Sequence, residues 1–393
     1  MKEKADYINL MAYDMHGPWE PQTDHHAPLY NRSWETIDNN IDFIVNYWIS
    51  KGLPANMINL GIPLYGKSWI LGVSSEPKMQ ALAVGDGGPG GPLTKTVGFL
   101  GYNEICNSIH VDGWESVDDP NQLNGPYAYS VSNPKTWVSY DDTKMAATKS
   151  QYVLDLNLGG AMVWDISTDD FHNKCGDGAN PVMTTISDTV VTAGFRFICY
   201  FPNWATYRDG IFTIGIATLF INLILFNVFS LLHKGDGKYE VDNINATLCT
   251  DMVYAFAILD NNTYTIKEFD LNVDLGADYR FYAKFVDLKK KNPNLKTTIA
   301  IGGWTDSHDE TNKYSKMVAD AGKRKIFVDS VMAFLQLYKF DGLDIDWEYP
   351  ASPSDKAGLA ELMKELRVEF DKQTPPYLLT IAVGVNLTIS DLG

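Results

Sequence analysis

The stretch Phe340-Asp341-Gly342-Leu343-Asp344-Ile345-Asp346-Trp347-Glu348-Tyr349-Pro350 alternates acidic and apolar residues with a period of two. Successive side chains of a strand point to opposite faces. The period therefore predicts a strand with Asp344, Asp346 and Glu348 on one face and Leu343, Ile345 and Trp347 on the other. The apolar face implies cover by surrounding helices, which argues against a solvated edge strand. Asp341 falls out of phase, nearer the strand's start. Neighbours on the acidic face lie about 6.5–7 Å apart at Cα. Three buried carboxylates that close cannot all stay ionised, so a shared proton is expected. Sharing raises the pKa of one member, which a general acid needs near neutral pH. A divalent-cation site is the rival reading, but neither calcium-loop spacing nor a nearby His supports it.

Seven further apolar runs rich in β-branched and aromatic residues accompany this one: Tyr7–Asp14, Met57–Tyr65, Gly160–Ser167, Phe195–Phe201, Met252–Leu259, Thr297–Gly303 and Leu378–Gly384. Amphipathic stretches lie between them, among them Trp34–Ser50, Asp141–Leu156, Asp278–Lys291, Asn312–Tyr338 and Asp355–Lys372. Strand and helix in alternation predict a parallel sheet. Eight such units predict an α/β fold of the (β/α)8 barrel type. Ser68–Ser139 breaks the rhythm with a Gly/Pro-rich loop (Gly85–Pro92) and short aromatic segments, and reads as a small α+β insertion. Ile211–Leu232 carries no charge over 22 residues, long enough for a bilayer span. It also contains Asn222 and Asn227, and it interrupts a loop directly after a strand. Three readings compete for it: a membrane anchor, a buried or surface hydrophobic helix, and translated non-coding sequence.

The chain has 393 residues, 45% hydrophobic, enough for one large core or two ordinary domains. Its net charge of −17 would repel a phosphate backbone, so nucleic acid is not an expected partner. Acidity is no bar to a neutral polysaccharide. The 10 Trp and 21 Tyr suit stacking on sugar rings, although composition alone equally describes core aromatics. Four cysteines, Cys106, Cys175, Cys199 and Cys249, allow three pairings. N-x-S/T triplets stand at Asn31, Asn245, Asn261 and Asn386. Together with paired cysteines they favour the secretory pathway or an extracellular location, with a single-pass anchor through 211–232 as the variant. No signal peptide opens the chain, which suggests a fragment or a numbering that starts inside a longer protein.

The pattern D-x-x-D-x-D-x-E at Asp341, Asp344, Asp346 and Glu348 resembles the catalytic strand of family 18 chitinases, insect-type members above all. Cys199-Tyr200-Phe201-Pro202-Asn203-Trp204 resembles the family's first strand, Tyr254-Ala255-Phe256 the second and Ile301-Gly302-Gly303-Trp304 the third. Met11-Ala12-Tyr13-Asp14 resembles the sixth, Gly61-Ile62-Pro63-Leu64-Tyr65-Gly66 the seventh and Gly160-Ala161-Met162-Val163-Trp164 the eighth. Strands six to eight thus precede strands one to five. Either the chain is cut from a tandem protein or it behaves as a circular permutant. Residues 1–190 would be the C-terminal part of a barrel and 193–393 the N-terminal part, joined by a linker near Asp177–Thr192. In a closed barrel strand eight neighbours strand one, so the two parts are expected to close into one barrel in cis.

The resemblance implies hydrolysis of chitin or chito-oligosaccharides, without metal or cofactor, by a substrate-assisted retaining mechanism. It implies Glu348 as general acid, Asp346 as partner of the acetamido N–H, Asp344 sharing a proton with Asp346, and Tyr13 bonding the acetamido oxygen. It implies Trp164 as floor of the cleft, with Met11, Asp14, Tyr65, Tyr200, Phe256, Gly303, Trp304 and Asp341 as further lining. Lys67 stands where the family often has Arg and cannot offer a planar fork. Read singly, Trp164 and Phe256 would be core aromatics. The resemblance also implies the bridges Cys199–Cys249 and Cys106–Cys175, each within its own part. A non-catalytic, lectin-like member and an inactive fragment are the alternatives.

Overall fold

The computed structural model describes residues 2–121, 123–132, 134–208 and 236–385. Its strands are β1 (Tyr7–Leu10), β2 (Ile58–Pro63), β3 (Tyr65–Leu71), β4 (Ala83–Val84), β5 (Phe99–Gly101), β6 (Glu115–Val117), β7 (Tyr127–Tyr129), β8 (Thr136–Ser139), β9 (Gly160–Trp164), β10 (Arg196–Pro202), β11 (Asp251–Leu259), β12 (Ile266–Glu268), β13 (Lys296–Gly302), β14 (Gly342–Asp346) and β15 (Leu378–Val383). Each of the eight apolar runs coincides with one barrel strand, three of which (β10, β11 and β13) extend one residue past the run. The first run is cut short at Leu10, and beyond it Asp14 turns with φ +60°.

Eight strands pair side by side in the order β10-β9-β2-β1-β15-β14-β13-β11, and β10 pairs back onto β11, closing a parallel barrel. Two of these seams join the two parts of the chain. At one, Arg196–Cys199 of β10 aligns with Gly160–Val163 of β9. At the other, Tyr7–Leu10 of β1 aligns with Thr380–Val383 of β15. The expected closure in cis is what the chain does.

The period of two sorts the side chains into two apolar layers. Ile8, Leu10, Phe197, Cys199, Phe201, Leu343, Ile345 and Trp347 point outward into the layer shared with the helices. Tyr7, Met162, Ile198, Tyr200, Val253 and Ala300 fill the barrel interior. β3 to β8 form a separate antiparallel sheet with a small core of Trp69, Leu71, Ala81 and Trp137. This insertion begins at Tyr65, three residues before the expected Ser68, because β3 follows β2 after Leu64 alone.

Three expected helices are shorter or broken; Asp278–Lys291 is α-helical only over Phe281–Asp287 and tightens into a 3-10 turn at Leu288–Lys290. Trp34–Ser50 is helical only over Ile41–Ser50, because Asn40 caps Phe43 N–H while Trp34 is tied to Asp24 through its indole N–H. Asn312–Tyr338 splits into Lys313–Val318 and Ala321–Tyr338, where the Asp320 side chain accepts from Lys323 N–H and starts a new helix. The expected linker near Asp177–Thr192 is a correction. It holds the helix Pro181–Val190, whose Val182, Met183, Ile186 and Val190 are buried in the outer layer beside the β9–β10 seam. The i, i+4, i+8 spacing of Val182, Ile186 and Val190 carried that signal.

Cys106 pairs with Cys175 and Cys199 with Cys249, each inside its own part. The segment 211–232 lies outside the described residues. Among the described residues no helix is long and apolar enough to cross a membrane.

Candidate active site

β14 carries its acids inward at the C-terminal mouth of the barrel, where such folds keep their chemistry. Asp344, fully buried, accepts from Thr380 Oγ1 (2.5 Å), Asn9 Nδ2 (3.3 Å) and Tyr200 OH (2.8 Å). Burial pushes its carboxyl up, and those three donors pull against it. Asp346 is buried, and among the described residues its Oδ1 has no hydrogen-bond partner. Burial, then the charge of Glu348, then that of Asp344 push it well above the carboxylate range. The expected sharing of a proton between Asp344 and Asp346 therefore has a different weight: Asp344 is already occupied by donors, and Glu348 is the stronger neighbour. Burial pushes Glu348 up to about 7; Tyr349 draws it down by a hydrogen bond and the charge of Asp14 adds to the rise.

The opposite wall comes from the first part of the chain. Tyr13 is buried after β1, and among the described residues its hydroxyl has only the Met162 sulfur as partner, at 3.8 Å. Burial raises its pKa, followed by the charges of Asp346, Asp14 and Glu348, so Tyr13 shares the cleft with both acids. Asp14 accepts from Tyr65 OH (2.6 Å) and pairs with Lys67 Nζ (3.1 Å). The cleft walls desolvate it, although 44% of its side chain remains open. Lys67, His26 and Tyr65 outweigh that desolvation and hold Asp14 at about 2. Lys67 Nζ also lies 5.4–5.8 Å from the ring centres of Trp19, Tyr65 and Phe99, a cation–π setting for a point charge. Trp164, half-buried at the end of β9, meets Tyr200 (5.7 Å), Phe256 (5.9 Å) and Trp204 (6.0 Å). Trp304 is 62% exposed just beyond β13, one face stacked on His308 at 3.8 Å.

The arrangement is a half-buried carboxyl that holds a proton near neutral pH, a second buried acid beside it, and an aromatic floor. Comparison with known proteins decides the lineage. The sequence profile of glycosyl hydrolases family 18 matches residues 1–169 and 196–389. The chain belongs to glycosyl hydrolases family 18. Among curated proteins, probable chitinase 10 of Drosophila melanogaster is 32% identical over 99% of this chain and 19% of its own length. Human chitinase-3-like protein 2 is 39% identical over 47% of each. The chain thus spans less than half the length of these relatives. Catalytic domain 2 of the Ostrinia furnacalis Group II chitinase is 40% identical over 47% of this chain and 48% of that one, with a TM-score of 0.45. The relatives it resembles are named as chitinases and chitinase-like proteins.

Of the sequence-predicted residues in this family 18 chain, Glu348, Asp346, Asp344, Tyr13, Tyr200, Trp164 and Phe256 gather at one barrel mouth, with Met11, Asp14, Tyr65 and Lys67 beside them. Gly303 backs this wall: a Cβ there would lie 2.6 Å from the Phe256 ring. Asp341 is a correction. It sits just before β14, at the far end of the barrel, and its carboxylate is taken by Lys289 Nζ (2.8 Å) and Thr297 N–H (2.8 Å). Six residues, about 23 Å if the chain is extended, separate it from Glu348. Trp204, Phe99, Trp19, His26 and Ser307 also belong to the site and were not singled out as site residues. Trp204 stood inside a quoted motif; the others had no local signal. His16, Asp24 and Glu35 converge as a ligand-like cluster, but Arg32 lies among them, with Nη2 2.9 Å from His16 Nε2.

Proposed function

We propose that this chain is an endo-acting chitinase, cleaving β-1,4 linkages between N-acetylglucosamine units with retention. The observation that carries the reading is Glu348, protonated up to about pH 7 and facing Asp346 and Tyr13. In the first step the glycosidic oxygen leaves with the Glu348 proton while the substrate's own acetamido oxygen closes on the anomeric carbon as an oxazolinium ion. Water then attacks that carbon and returns a proton to Glu348. Asp346 has a free Oδ1 for the acetamido N–H. The Tyr13 hydroxyl, held among the described residues only by a sulfur at 3.8 Å, is available to donate to the acetamido oxygen. Trp164 offers a half-buried ring as floor.

We read residues 1–190 and 193–393 as the C-terminal and N-terminal parts of family 18 barrels. Two separate matched blocks support this, as does one alignment with the Drosophila melanogaster protein that carries both parts in the same order. Two disulfides, and exposed sequon residues Asn31, Asn245 and Asn261, support an extracellular or secretory setting. Asn386 lies outside the described residues. A non-catalytic, sugar-binding member is the second reading, motivated by the likeness to human chitinase-3-like protein 2.

The deciding experiment compares the purified chain with Glu348→Gln on chito-oligosaccharides. Wild type is expected to release shorter soluble fragments, with kcat/KM falling above about pH 7 as Glu348 loses the proton it must give. Glu348→Gln is expected to lose at least about a hundredfold in kcat and keep binding. Equal cleavage by both proteins contradicts the reading; binding without cleavage by wild type favours the second one.

A further inference from the structure

Glu348 stands two residues beyond Asp346, the last residue of β14 with a partner on β13. Among the described residues no strand ladder reaches its backbone. Its N–H instead donates to Ser307 Oγ at 3.0 Å. Ser307 ends the short helix Gly303–Ser307, and the residues around it grip the same strand end. Asp306 accepts from Lys313 Nζ (2.5 Å), Tyr314 OH (2.6 Å) and Leu259 N–H (3.2 Å). The Tyr314 ring stacks on Trp347 at 5.6 Å and 21°. Trp347 is thus held from its outer face while Ser307 takes the next backbone N–H.

We infer that Ser307 is a positioning residue for the proton donor: its hydroxyl fixes the Glu348 backbone and so sets how deeply the carboxyl sits in the cleft. The inference rests on Glu348 being that donor. The charged and titratable groups facing Glu348 are Asp346 on β14, Tyr349 next to it in the chain, and Tyr13 and Asp14 from the segment after β1. Burial is the largest cause of its raised pKa. A looser backbone admits water, weakens that cause and lets the carboxyl fall towards its ordinary range.

The test is carboxyl carbon NMR of the full chain labelled at glutamate, with the Glu348 signal assigned by Glu348→Gln. Wild type is expected to titrate near 7. Ser307→Ala is expected to titrate about one unit lower, with kcat reduced and KM little changed. Ser307→Thr, which keeps the hydroxyl, is expected to restore the midpoint, whereas Ser307→Val, similar in shape to Thr, is expected to behave as Ala. An unchanged midpoint in folded Ser307→Ala or Ser307→Val overturns the inference. Wild type that titrates as expected but turns over no oligosaccharide refutes the catalytic reading and leaves the positioning result standing.

Discussion

At the scale of the residue, His26 shows how the cleft burdens its surroundings. It is fully buried, and the Asp14 carboxylate lies 3.6 Å from its Nδ1, just beyond an ordinary hydrogen bond. Burial pushes it down, Asp14 pulls it back up, Lys67 and Lys149 push it down further, and it settles at about 4. The unfolded chain holds this proton from about 6.5 downward, and the folded chain only from about 4. Between those values the unfolded state binds more protons, so stability falls as pH drops, by about 3 kcal/mol in all. His26→Asn is expected to remove that slope. Urea midpoints at pH 7 and pH 4.5 check it, and an equally steep loss in the variant refutes it. The inward acids were legible from the alternation in residues 340–350, because a period of two is local. His26 and Ser307 were not, because their roles come from partners on separate elements, such as Lys67 and Lys149, or from a backbone contact that no side-chain pattern records. Asp341 misled for the opposite reason: it belongs to the motif, but its contacts are at the other end of the strand.

At the scale of the element, the eight strands were readable because a parallel strand buried on both faces is a near-continuous apolar run. Helix ends were less so, since they are set by caps. Asn40 and Asp320 each satisfy a backbone N–H, and those bonds decide where helices begin. Pro181–Val190 had the apolar spacing of a helix, yet its position between the two parts suggested slack chain. Its buried Ile186 now gives a direct test of whether it is a structural member of the barrel. Ile186→Ala is expected to cost about 2–5 kcal/mol, while exposed Asp188→Ala stays within about 0.5 kcal/mol. Thermal unfolding of both variants measures the contrast. Equal midpoints would mean that the helix contributes little to the seam.

At the scale of the whole molecule, the site exists only because two seams close. Tyr13 and Trp164 come from the first part, and Glu348 and Asp346 from the second. No disulfide joins the parts, since Cys106–Cys175 and Cys199–Cys249 each staple one of them. Closure therefore rests on the β9–β10 and β1–β15 ladders, the apolar layers beneath them and side-chain contacts across the parts, such as Tyr7 with Asp251 and Asn9 with Asp344. The order of the strands was readable from the motifs, and adjacency in a closed barrel made closure the natural expectation. The most direct measurement is turnover of a chito-oligosaccharide by the monomeric fraction, alongside an equimolar mixture of Glu348→Gln and Tyr13→Phe chains. If both walls of the cleft belong to one polypeptide, monomers hydrolyse the substrate and the mixture shows no more activity than its two components assayed apart. Activity confined to dimers, or restored by mixing, would contradict the single-chain site.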